Sequence, residues 1–92
     1  MPTQSHDMEH KEQEKQDRQQ LNALIGKHVL HTLGQPGAFH SMQVRRLWEN
    51  NYRVNVLVGE DAASVKVAHS YFLEADSDGN IITSMPTIMK QY

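Results

Sequence analysis

Five of the six histidines in these 92 residues fall into three groups. His6 and His10 stand four apart in "HDMEH", His28 and His31 three apart in "GKHVLHT", and His69 sits alone in "VKVAHSYFLEA". Two histidines four apart on a helix can share a zinc ion. The metalloprotease arrangement, however, places a glutamate directly after the first histidine, and here Asp7 follows His6. No metal site is expected from that pair. His28 lies on the apolar side of one segment, and His69 on the apolar side of another. If the two segments pack together, His28, His69, Tyr52, Tyr71, Arg46 and Trp48 could line one pocket. Imidazoles, phenols and a guanidinium in an apolar wall are the usual furniture of a ligand site, and a buried imidazole can move protons. The competing expectation, which the residue types favour, is that these histidines fill the core with their ring nitrogens bonded to carbonyls or hydroxyls.

A second stretch invites a metal reading. In "EADSDGNIIT", Gly79 can be aligned with the invariant glycine of a calcium loop, which puts Glu74, Asp76 and Asp78 at alternate ligand positions. Ile81 then fits, but the position that needs a bidentate glutamate holds Met85. The flank "VKVAHSYFLEA" also alternates like a strand, whereas a calcium loop lies between helices. A hairpin turn accounts for the same residues: Asp76 opens a type I turn through Ser77 and Asp78, and Gly79 takes the left-handed position. The sequence contains no GxSxG, Walker or GxGxxG motif. "LGQPGAF" follows a helical segment, whereas a phosphate cradle precedes one. No cofactor is expected.

The elements that would position these residues can be read from periodicity. Leu21, Leu24, Ile25, His28 and Val29 share one side at 3.6 residues per turn, and Gly34 with Pro36 ends the run. A helix is expected from about residue 10 to residue 33, firmly from about residue 19. "SMQVRRLW", "YRVNVLV", "VKVAHSYFLEA" and "NIITSM" read as four strands. Matching their apolar faces pairs Trp48 with Tyr52 across a loop of Glu49, Asn50 and Asn51, with Asn51 left-handed. It also sets Val44 against Val56, Val54 against His69, Tyr52 against Tyr71, and Ala75 against Ile81. The fold class is α+β, with one N-terminal helix packed on a four-stranded antiparallel β-meander. Residues 1–18 form a polar flexible arm and residues 19–92 a single domain.

The helix-then-meander layout resembles that of PepSY and cystatin-like domains. The PepSY likeness rests on "YFLEADSDGNII", a strand ending in Asp, a Gly turn and an apolar strand. The resemblance implies a role in binding or protease regulation and carries no site residue.

One helix covers one sheet face. The other face would carry Leu47, Leu57, Phe72 and Ile82, more apolar than an exposed sheet requires, with a thin basic stripe of Arg45, Arg53 and Lys66. The proposed interface is Leu47, Leu57, Phe72, Ile82 and Arg53. About 70 residues must supply the core, and domains of that size have little stability to spare. A homodimer or another protein partner is therefore expected. The net charge of −2 argues against nucleic acid. No apolar run has the length of a membrane helix, and the first twenty residues lack a signal-peptide core, so a cytoplasmic setting is the default. Two functions compete. The first is a non-enzymatic binding or interaction module that self-associates through the outer face. The alternative is a small-ligand-binding protein or enzyme using the His/Tyr/Arg pocket.

Overall fold

Leu21, Ile25, Val29 and Leu33 fall four apart, and this stripe is what brings helix α1 (Pro2–Leu33) onto the sheet. The computed structural model describes the backbone of residues 2–92 and the side chains of residues 17–92. The polar arm, apart from its last two residues, and the His6–His10 pair lie outside the residues whose side chains are described. Ile25, Val29 and Leu33 are fully buried, with Leu21 half-buried beside them. Leu24 lies at the margin of the stripe and stays exposed. Gly34 ends the helix at φ 89°, a left-handed cap, with its amide donating to the Leu30 carbonyl.

Four strands follow: β1 (Phe39–Trp48), β2 (Asn51–Val58), β3 (Lys66–Ala75) and β4 (Ile81–Met85), in the order β1-β2-β3-β4 and all antiparallel. The fold is α+β with the helix packed on the sheet. Its core is Ile25, Val29 and Leu33 against Tyr52, Val54, Val56, Tyr71, Leu73 and Ala75.

The alternating faces hold, but the register differs from the expected one by two residues at both central pairings. Val44 opposes Val54, Met42 opposes Val56, Tyr52 opposes Leu73 and Val54 opposes Tyr71. A shift of two keeps every inward residue inward, so hydrophobic pattern alone cannot detect it. The β1–β2 connection is a two-residue turn, Glu49-Asn50, with Trp48 opposite Asn51. That turn would mix the two faces, but a bulge between Arg46 and Trp48 adds a residue and restores the alternation, so that Arg46 opposes Tyr52. Glu49, rather than Asn51, takes the left-handed conformation, at φ 48°. A second bulge, between Val56 and Leu57, pairs Leu57 with Val67 and Val58 with Lys66. Val67 thereby joins the outer face, and Lys66 leaves the stripe expected with Arg45 and Arg53. The final hairpin sets Ala75 against Ile81, as the sequence predicts.

Residues 86–92 form a further part of the structure with no counterpart in the strand pattern. Ile88 joins the core, and its amide donates to Ser84 Oγ at 3.2 Å. The amides of Gln91 and Tyr92 both donate to the Leu33 carbonyl, at 2.8 and 3.2 Å. They satisfy an acceptor that the end of an α-helix leaves without a partner. A side chain at Gly34 would collide with Tyr92, since a Cβ there lies 2.8 Å from the Tyr92 carbonyl carbon.

Candidate interaction surface

The outer sheet face is organised in cross-strand rows. One row runs Arg45, Arg53, Phe72, Met85, and the next runs Trp48, Asn51, Glu74, Thr83. Trp48 packs on Phe72 with ring centroids 5.6 Å apart, and the Arg53 guanidinium lies 6.0 Å from the Phe72 centroid. Arg53 also donates to Ser70 Oγ at 3.4 Å, and Ser70 donates to Asn55 Oδ1 at 2.6 Å. Arg45 and Arg53 stand directly opposite one another, with no acid in their row. Like charges so placed repel. Trp48 is 56 % exposed, Met85 73 % and Val67 53 %. Leu57 and Phe72 are half-buried, and Leu47 is exposed beside the β1 bulge.

Two of the residues named for the pocket and the interface depart from their expected places. Trp48 belongs to the outer face, because the bulge at Leu47 turns it away from α1. Ile82 is the unpaired residue of a bulge in β4, between the Ala75–Ile81 and Glu74–Thr83 pairs. It lies in a shallow depression with Thr32, Ile81 and Ile88 at the sheet edge. Met85, opposite Phe72, takes the outer-face place, and Ser84, expected on the outer face with Ile82, lies opposite Leu73 on the inner face. No periodicity in the sequence marks such a bulge.

On the inner face the expected pocket residues are dispersed. His28 Nδ1 donates to the Gly79 carbonyl at 2.6 Å, which ties α1 to the β3–β4 turn. His69 Nε2 pairs with the Tyr92 hydroxyl at 2.8 Å, and its ring lies parallel to Tyr71 with centroids 6.2 Å apart. His28 and His69 thus serve two separate contacts. Arg46 lies next to Tyr52, but its Nε donates to the Glu49 carbonyl at 2.6 Å. Burial, with the nearby Tyr92 phenol, holds the Tyr71 hydroxyl above the usual tyrosine pKa. The partner of His69, Tyr92, was not apparent from the sequence, although the apolar spacing of Ile88 in "PTIMKQY" signals that this segment has something to bury.

The β3–β4 turn is built around Asp76. Its Oδ1 accepts from the amides of Asp78 and Asn80, each at 2.9 Å, and its Oδ2 accepts from Asn80 Nδ2 at 3.2 Å. The Gly79 amide donates to the Asp76 carbonyl at 3.0 Å, and Gly79 adopts φ 80°. This is the turn expected from Asp and Gly, and its carboxylate is occupied by the backbone it shapes.

Comparison of the chain with family models, curated proteins and solved structures finds no match. No helix among the described residues is long and apolar enough to cross a membrane.

Proposed function

We propose that this protein is a non-enzymatic interaction module that self-associates through its outer sheet face. The observation that carries the reading is the Trp48–Phe72–Arg53 cluster, with Met85 beside Phe72, on the face that α1 and residues 86–92 leave uncovered. Tryptophan, arginine and methionine are the residue types that dominate protein interfaces. A two-fold packing of two such faces can set the Arg45–Arg53 pair of one copy against Glu74 of the other, which offsets the repulsion within the pair. Burying the exposed apolar surface at ~25 cal/mol per Å² is worth a few kcal/mol, and a two-fold dimer is the commonest arrangement that achieves it.

Sedimentation equilibrium of the wild type and Phe72→Glu tests this. The wild type is expected at twice the 10.5 kDa chain mass and the variant at the chain mass. A monomeric wild type, or a dimer indifferent to Phe72→Glu, would overturn the reading.

A further inference from the structure

The two edges of the sheet differ. β4 is short, bulged at Ile82 and followed by Pro86, all features that discourage pairing. β1 is ten residues long and contains no proline. Asn22 Nδ2 donates to the Val44 carbonyl at 3.4 Å, so that carbonyl points away from β2. In an antiparallel ladder the amide and carbonyl of one residue point the same way, and alternate residues share that direction. Met42 and Val44 therefore direct their backbone groups away from β2, where the Val44 carbonyl accepts from Asn22 while the Val44 amide and the Met42 groups face the edge.

Beside that edge, α1 and β1 enclose an open groove of about 430 Å³. Leu30, Phe39, Met42 and Val44 give it an apolar floor, and Lys27 is the one charged residue in its lining. The groove continues the inner face of the sheet past β1. On the opposite face the same edge is bordered by Gln43 and Arg45. β1 carries two arginines and a histidine and no acid.

We infer that the β1 edge is a strand-addition site for an extended acidic segment that alternates apolar and carboxylate side chains. Such a segment pairs its backbone with Met42 and Val44. Its apolar side chains enter the groove beside α1, and its carboxylates lie beside Arg45, because successive side chains of a strand point to opposite faces. Charge decides against a second copy as the occupant. Antiparallel pairing of β1 with itself would gather four arginines along one strand pair, whereas an acidic strand neutralises them. The site borders the outer face and shares Arg45 with it, but its backbone edge and groove do not involve Trp48 or Phe72, so N-methylation and Ala23→Phe test it independently of self-association.

The test uses the full chain and a labelled peptide alternating valine and glutamate over about seven residues, enough to span the edge-facing part of β1. Fluorescence anisotropy measures affinity, and amide exchange reports the site. Binding should protect the Met42 and Val44 amides. N-methylation of alternate peptide amides, on the edge that meets β1, should weaken it about tenfold or more, as should Arg45→Glu and the groove-filling Ala23→Phe. The account is overturned by absence of binding at millimolar peptide. It is equally overturned by binding that tolerates N-methylation or a scrambled order, or by exchange changes confined to Trp48 and Phe72. Protection of Met42 and Val44 that rises with protein concentration in the absence of peptide would identify a second copy as the occupant and refute the acidic segment.

Discussion

The carboxylate of Asp76 receives two backbone amides and one side-chain amide, while Gly79 closes the same turn against the helix. The bond from the Asn80 amide, helped by those from Asn80 Nδ2 and the Asp78 amide and by the His28 charge, holds the Asp76 pKa below its ordinary value. A carboxyl group depressed in the folded state contributes stability above its unfolded pKa of about 4, and loses it as pH falls through the folded value. Asp76→Ala should therefore lower the melting temperature at neutral pH and flatten the loss of stability on acidification below about pH 4, both visible in thermal melts across pH. Tyr71 acts at the other extreme. Its raised pKa makes stability decline as pH climbs past about 10, and Tyr71→Phe should remove that part of the alkaline limb. A Cβ at Gly79 would lie 2.8 Å from Leu24 Cβ, on a backbone at φ 80°. Gly79→Val should cost about 2 kcal/mol or more in a denaturant melt. Glu49 is the converse case, a residue with a full side chain held at φ 48°. Glu49→Gly should be neutral or stabilising by up to about 1 kcal/mol. His69 stacks on Tyr71 and bonds Tyr92 without joining His28, so His69→Phe should keep the fold within about 1 kcal/mol of the wild type.

At the scale of elements, the helix stripe, the four strands and the Asp76–Gly79 turn were legible because each rests on local periodicity or turn chemistry. The two-residue shifts of register were not, since they leave every face unchanged. The bulges at Leu47 and near Ala68 were hidden for a related reason. A strand with one extra residue reads as regular on either side of it, and the pattern does not say where the reset occurs. Trp48, Val67 and Lys66 changed faces on that account. Residues 86–92 escaped notice because a segment without period two or 3.6 gives no strand or helix signal, yet Ile88 is in the core and the Gln91 and Tyr92 amides cap Leu33. Ile88→Ala should therefore destabilise by about 2 kcal/mol or more in a denaturant melt, the cost of a vacated core position. A change below about 0.5 kcal/mol would mean this segment does not pack as described.

For the whole molecule, the inner face is closed by α1 and residues 86–92, while the outer face presents an aromatic pair, a methionine and two opposed arginines. The expectation of an apolar outer face came from alternation alone, and the structure assembles it from partly different residues, with Trp48, Val67 and Met85 added. Self-association through that face is the central claim, and Trp48 offers a direct probe of it. It is the chain's single tryptophan, and it lies 56 % exposed within the proposed interface. Its emission should be followed as the protein is diluted from submillimolar to nanomolar concentration. If two outer faces pack together, the emission shifts to longer wavelength on dilution as the indole becomes wet, and Phe72→Glu shows the wet spectrum at every concentration. Emission that is independent of concentration and identical in Phe72→Glu would contradict the account.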